Sequence, residues 1–133
     1  MSGRWLFALA AALTLISVAH GGESDESVQA AAAEARRNAS SATGSAFELQ
    51  VARALGVQKT RLVQQCLRQH RLKQDSGLRL LIRLDADGVA ERVIADPGSA
   101  AGDCISAGLR SWRAVTPPMP EYWVEIVVQA RSR

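Results

Sequence analysis

The sequence predicts an α+β domain, in which a three-stranded, mostly antiparallel sheet has an N-terminal helical region packed on one face and carries one disulfide. Three observations lead to this prediction. The spacing of the apolar residues changes at Gly77 from a helical period to an alternating one. The run Asp-Ala-Asp-Gly at 85–88 has the composition of a tight hairpin turn. Cys66 and Cys104 lie on the apolar stripes of two predicted helices.

The first residues have the composition of a signal peptide. Arg4 precedes an apolar run at 5–18, and the Ala-His-Gly at 19–21 places small residues where signal peptidase cuts. The run is shorter than the roughly 18 to 20 residues needed to span a bilayer. We therefore expect cleavage after Gly21, which removes residues 1–21 and leaves a periplasmic or secreted protein. A short membrane anchor that is retained is the alternative.

The next segment, 22–45, is rich in Ala, Ser, Gly, Glu and Arg, and Val28 is its only large apolar residue. Such a composition buries too little apolar surface to offset the entropy of ordering. We therefore expect a flexible linker here, with at most a frayed helix at 28–37. The folded domain then covers 46–133, and a domain of that size has a marginal core.

A helical period runs through residues 47–72. Phe47, Val51 and Leu55 share one face, and Gly56 breaks or bends the run. The second part has an apolar stripe formed by Leu62, Val63, Cys66 and Leu67. Its opposite face is basic and carries Lys59, Arg61, Arg68, Arg71 and Lys73. This face could contact anionic lipid, lipopolysaccharide or an acidic protein, or it could simply be solvated.

The alternating pattern from Gly77 predicts a β-hairpin around the turn at 85–88. One face of its first strand is formed by Leu78, Leu80, Ile82 and Leu84, and the return strand continues to Asp96. A helix follows, capped by Ser99 and ending near Trp112, and its internal glycines suggest close approach to a neighbouring element. After a Pro-rich connector, residues 121–130 form the last strand, with Tyr122, Val124, Ile126 and Val128 on one face.

The two cysteines are expected to form a disulfide that joins the two helical regions. An even number of cysteines in a small exported domain favours such a bridge. Two separately buried thiols are the alternative.

We predict no catalytic, cofactor or metal site, and therefore no enzyme. His70 is the only histidine after residue 21, which excludes a site of several histidines. It lies one turn from Cys66, so a nucleophilic Cys–His pair is conceivable, but an exposed histidine beside a disulfide is the preferred interpretation. The turn at 85–88 lacks the later oxygen ligands of a calcium loop.

The hairpin sequence Gly-Leu-Arg-Leu-Leu-Ile-Arg-Leu-Asp-Ala-Asp-Gly-Val at 77–89 resembles the G-x-V-x-V-x-F-x-I-x-x-D-G-x-V pattern of TonB/TolA C-terminal-like domains. The paired cysteines and Trp112 resemble the AgmX/PglI C-terminal variant of that superfamily. The resemblance covers about residues 48–128. The chain lacks the long Pro-rich spacer of energy-transducing members, and Ala-Val-Thr-Pro at 114–117 replaces their Phe-Pro, which argues against energy transduction.

The resemblance implies a protein-interaction module of the cell envelope that binds other envelope proteins by strand addition. We expect the partner site at the edge of the last strand, 121–129, and predict that it includes Tyr122, Trp123, Glu125 and Val127. Trp123 could instead be a core residue of a two-sided sheet or a dimer contact. The alternatives for function are an anchored accessory subunit of an envelope transport or motility complex, or a small secreted inhibitor.

Nucleic acid is not expected as a partner. The formal net charge of +3 is small, and aromatic residues do not alternate with the cations. We expect contact with a membrane only through the signal or anchor segment, or weakly through the basic face.

Overall fold

The computed structural model describes residues 24–71 and 77–129. The elements follow in the order α1 (Asp25–Ala39), α2 (Ala42–Gln58), α3 (Thr60–His70), β1 (Gly77–Leu84), β2 (Ala90–Asp96), α4 (Ala100–Leu109) and β3 (Tyr122–Gln129). The strands form an antiparallel sheet in the order β2-β1-β3, which confirms the predicted fold class. The predicted signal peptide and Lys73 lie outside the described residues. Within the described ranges, no helix is long and apolar enough to cross a bilayer.

The larger core lies between one face of the sheet and helices α2, α3 and α4. The central strand β1 contributes alternate residues to it, as its pattern predicts, because successive side chains of a strand point to opposite faces. Fully buried members of this core include Val51, Leu78, Leu80, Ile82, Leu84, Ile105 and Leu109. The break between α2 and α3 falls at Lys59, after the Gly56 that the sequence suggested.

The predicted hairpin is formed, and Asp85 organises its turn. One oxygen of the Asp85 carboxylate accepts hydrogen bonds from the N–H groups of Asp87 and Val89, each at 2.9 Å. Gly88 takes a φ of +81°, a conformation that favours glycine. The carboxylate therefore serves the turn itself, as the hairpin interpretation requires.

The predicted disulfide is also formed, between Cys66 of α3 and Cys104 of α4, whose Cα atoms lie 5.6 Å apart. The two helices pack closely beside it. A Cβ added at Gly108 would lie 2.5 Å from the Leu62 side chain, so a larger residue there would require Leu62 to move. This contact confirms that glycine within α4 allows the close approach of a neighbouring element.

The predicted flexible linker at 22–45 is wrong over most of its length, because α1 occupies Asp25–Ala39 and α2 begins at Ala42. Helix α1 covers the second face of the sheet. Its buried residues Val28, Ala31, Ala32 and Ala35 pack against Leu81, Ile94 and Trp123. Small side chains suffice here because they let the helix lie close to a flat apolar sheet face. Helices therefore cover both faces of the sheet, and the ordered domain begins before residue 46.

Candidate functional site

The candidate site is the outer edge of β3. Strand β3 pairs with β1 along its whole length, from the Leu84–Tyr122 pair to the Gly77–Gln129 pair. Among the described strands it has no second neighbour, because β1 lies in the centre of the sheet. An edge strand presents unpaired N–H and C=O groups that another chain can use.

Two side chains each bond to one backbone group in the first half of this edge, which we call its closed part. The side-chain amide of Asn38 donates to the carbonyl oxygen of Trp123 at 3.0 Å. The N–H of Glu125 donates to the carboxylate of Glu48 in α2. In an antiparallel ladder the backbone groups of alternate residues point away from the partner strand. Because Trp123 and Glu125 direct these groups outward, Val127 and Gln129 direct theirs to the same side.

Beyond Glu125 the edge is open. Within the described part of the chain, the N–H and C=O groups of Val127 and the N–H of Gln129 have no hydrogen-bond partner on this side. The side chain of Val127 is 58% exposed, the highest value in β3 for a large apolar residue. The open stretch is therefore short, and it offers both donors and acceptors to an incoming strand.

A shallow groove runs along this open stretch, between β3 and the helices on the inner face of the sheet. Beside Glu125 and Val127 its wall is α2, with Ala42, Ser45, Ala46, Glu48, Leu49 and Ala52. Towards Gln129 the wall passes to the end of α2 and to α3, with Leu55, Gly56, Thr60, Val63, Gln64 and Leu67. Leu49 is 52% exposed on the α2 side, whereas the Val127 side chain belongs to the opposite face of the sheet with Trp123, so each face presents an exposed apolar side chain beside this edge.

The charges at the closed end of the groove are mostly negative. The guanidinium of Arg79 lies 2.6 Å from the Asp96 carboxylate and 3.8 Å from that of Glu125. The pKa of Glu48 is raised, mainly by burial and also by the negative charge of Glu125, while the hydrogen bond from the Glu125 N–H acts in the opposite direction. The pKa of Tyr122 is raised as well, by burial and then by Glu48.

We expect Glu48→Gln to stabilise the domain slightly at neutral pH. A carboxyl whose pKa is higher in the folded than in the unfolded state binds its proton more tightly when folded, so its charged form disfavours folding as the pH rises. Glutamine removes the charge but keeps an acceptor for the Glu125 N–H. Because Glu48 is partly exposed and therefore screened, the gain in the free energy of unfolding should be about 0.5 kcal/mol or less.

Urea unfolding of Glu48→Gln and of the wild type checks this at neutral pH and at about pH 3.5, where most carboxyls are protonated. The difference in the free energy of unfolding between the variant and the wild type should vanish at the lower pH. Glu34→Gln removes the same charge from an exposed position of α1 and serves as the control. A Glu48→Gln variant that is less stable than the wild type at neutral pH contradicts the expectation.

Only part of the predicted partner site lies at the edge. Glu125 and Val127 line the groove, whereas Tyr122 and Trp123 are buried. The Tyr122 ring packs edge-on against Phe47 at 5.2 Å, and its hydroxyl donates to the Asn38 carbonyl oxygen at 3.3 Å. The prediction that these two aromatic side chains are available to a partner is therefore wrong.

Trp123 is buried because helix α1 covers the face on which it lies. It is 6% exposed, and the guanidinium carbons of Arg83 and Arg92 each lie 5.8 Å from its ring. The alternative interpretation, a core residue of a two-sided sheet, is the correct one. Asn38, which bonds to the edge, and the groove residues Glu48 and Leu49 were missed. The sequence gives only a weak signal for them. They belong to α1 and α2, and no local sequence pattern shows how close these helices lie to the last strand.

The described cations of the basic face lie where its pattern predicts. Arg61, Arg68 and Arg71 are exposed, and Lys59 is half-buried at the junction of α2 and α3. His70 is exposed, and because Cys66 is bonded to Cys104, the conceivable Cys–His nucleophilic pair is excluded. Among the described residues, no three His, Cys, Asp or Glu side chains are grouped so that they could hold a metal ion.

Comparison of the chain with protein-family models, with curated proteins and with solved structures found no match.

Proposed function

We propose that this chain is a protein-interaction module of the cell envelope, without catalytic activity, that binds an extended segment of a partner protein as an added strand along β3. The single observation that carries this proposal is the open stretch of edge at Val127, which lies beside an apolar groove. Strand addition uses backbone hydrogen bonds for affinity and side-chain pockets for specificity. Both are available along this stretch.

The way the rest of the edge is closed supports the proposal. Asn38 and Glu48 each satisfy one outward group, the Trp123 carbonyl and the Glu125 N–H, and their side chains occupy this part of the edge, so pairing along the whole strand is hindered. Beyond Glu125, neither outward group of Val127 has a partner in the described part of the chain, and Leu49, Leu67 and other groove residues lie beside it. A short open stretch favours weak and selective binding of a peptide segment over extensive sheet-to-sheet association.

The disulfide supports the location in the envelope. A bridge between Cys66 and Cys104 persists in an oxidising compartment such as the periplasm or the exterior of the cell. Together with the signal-like residues 1–21 and the TonB/TolA C-terminal-like hairpin, it favours an exported protein of that superfamily.

We expect Val127→Pro to abolish peptide binding while the domain remains folded. Proline removes the outward N–H of residue 127, and an edge position whose N–H faces solvent is one that proline tolerates in a sheet. Peptides selected by the purified domain from a phage library of random dodecapeptides should bind Val127→Pro at least about tenfold more weakly. Val127→Thr keeps the N–H and is the matched control.

Circular dichroism and thermal unfolding show whether both variants retain the fold. Peptides that bind folded Val127→Pro as tightly as the wild type would refute strand addition at this edge. Failure of the wild-type domain to select any peptide would refute it as well.

A further inference from the structure

Among the described residues that line the closed end of the groove, two are acidic and none is basic. Glu48 and Glu125 lie close enough that the charge of one affects the other, and both line the groove wall. The guanidinium that reaches this place is that of Arg79, which lies closer to Asp96, at 2.6 Å, than to Glu125, at 3.8 Å. Asp96 and Glu125 therefore share one guanidinium, and among the described residues Glu48 forms no ion pair. Arg83, the next cation along β1, forms its ion pair with Glu91 at 3.1 Å.

A strand bound along Val127 would remove water from this end of the groove. Burying a carboxylate without a partner is costly, and the carboxyl group of Glu48 is already partly desolvated. An uncharged occupant would leave the two carboxylates with less water and no new partner, and an acidic occupant would add repulsion. An occupant that places a cation between them offsets the desolvation.

We propose that the segment bound along β3 carries a lysine or arginine side chain next to Glu48 and Glu125, followed by small or medium apolar residues beside Val127 and Leu49. This inference rests on the proposed function, because it names the chemistry of the partner for the same edge. The apolar part of the occupant follows from the groove wall, where Ala42, Ala46, Ala52 and Gly56 leave room for short apolar side chains.

The net charge of the whole chain and the charge of the groove predict the selection of different peptides. The formal net charge is +3, so non-specific attraction favours acidic peptides. Selection of basic peptides would have to come from a local negative site. Because the overall charge is positive and the local charge is negative, the composition of the selected peptides distinguishes the two kinds of binding. Non-specific binding enriches acidic peptides, and specific binding in the groove enriches basic ones.

The test uses the phage library of random dodecapeptides, selected in parallel on the wild-type domain, on the double variant Glu48→Gln/Glu125→Gln and on Glu34→Gln. Peptides selected by the wild type and by Glu34→Gln should be enriched in Lys and Arg relative to the unselected library. The enrichment should disappear with the double variant. A basic peptide selected by the wild type should bind the double variant about tenfold more weakly, measured by titration calorimetry.

The outcomes separate this inference from the proposed function. If wild-type peptides require the open edge, as shown by loss of binding to Val127→Pro, but contain no excess of Lys or Arg, the inference is overturned and the proposed function stands. The inference is also overturned, and the proposed function stands, if the enrichment in Lys and Arg persists in the double variant. If no peptide is selected, or if Val127→Pro binds normally, both are overturned. Glutamine at 48 retains the acceptor for the Glu125 N–H, and circular dichroism checks that the double variant is folded.

Discussion

Replacing Cys66 and Cys104 together by alanine is expected to lower the free energy of unfolding by about 4 kcal/mol. The bridge joins residues separated by 38 positions. A loop of that size loses about 4 kcal/mol of chain entropy in the unfolded state when it is closed. A small domain has a total stability of about 5 to 10 kcal/mol, so the loss removes a large part of it.

Helix α3 should be affected most. Cys66 is its only fully buried residue, and the helix otherwise contacts the core through half-buried side chains such as Leu62, Val63 and Leu67. Without the bridge, this basic helix is held to α4 by little apolar area. Amide hydrogen exchange should therefore show greater loss of protection in α3 than in β1.

Urea unfolding with and without dithiothreitol measures the effect. The reductant should lower the unfolding midpoint of the wild type to that of the double alanine variant and leave the variant unchanged. Alanine at both positions avoids the free thiol that a single substitution would leave. Equal midpoints for wild type and variant, or two titratable thiols in the unreduced native protein, would contradict the expectation.

The elements that local sequence determines were predicted well. Asp85 and Gly88 define the hairpin turn through their own backbone preferences and hydrogen bonds. The alternation from Leu78 to Leu84 defines which face of β1 packs on the larger core. The pairing of Cys66 with Cys104 follows from their number and from the export that residues 1–21 predict. None of these requires knowledge of distant contacts.

Local sequence does not assign helix α1 to the folded domain as clearly as it defines the hairpin and the disulfide. Its inward residues Val28, Ala31, Ala32 and Ala35 have the correct helical spacing, but alanine buries little apolar area and the pattern is weak by itself. The sequence of β1 carries the stronger indication that a second layer covers the sheet. Leu80, Leu81 and Ile82 form a continuous apolar run, and all three are fully buried. Such a run is typical of a strand covered on both faces, which requires a second layer.

The candidate site also shows what local sequence cannot predict. Val127 could be assigned to an edge strand from its position in the sequence. The closing of the edge depends on contacts such as that between Asn38 and Trp123, which are 85 residues apart. Because these contacts depend on where α1 and α2 pack, the open and the closed parts of the edge could be distinguished only in the folded structure.

Trp123→Ala is expected to lower the free energy of unfolding by about 3 to 5 kcal/mol, the cost of removing a buried aromatic side chain. The side chain packs with Leu81 and Ile94 in the surface on which α1 lies. Its loss also removes the contacts of Arg83 and Arg92 with the ring, worth about 0.5 to 1 kcal/mol each at partly exposed sites. If Trp123 were the exposed capture residue that its sequence position suggested, the change would alter stability by about 0.5 kcal/mol or less.

The effect should be local to the outer layer of the sheet. The larger core and the Cys66–Cys104 bridge lie on the opposite face of the sheet from Trp123, so we expect loss of amide protection in α1 and retained protection in α4. Val127→Ala removes an exposed apolar side chain from the same strand and is the matched control, with little expected change in the urea midpoint. A Trp123→Ala variant as stable as this control would show that α1 does not depend on the sheet for its structure. Since alanines supply three of its four buried positions, the tryptophan provides the apolar area that this helix itself lacks.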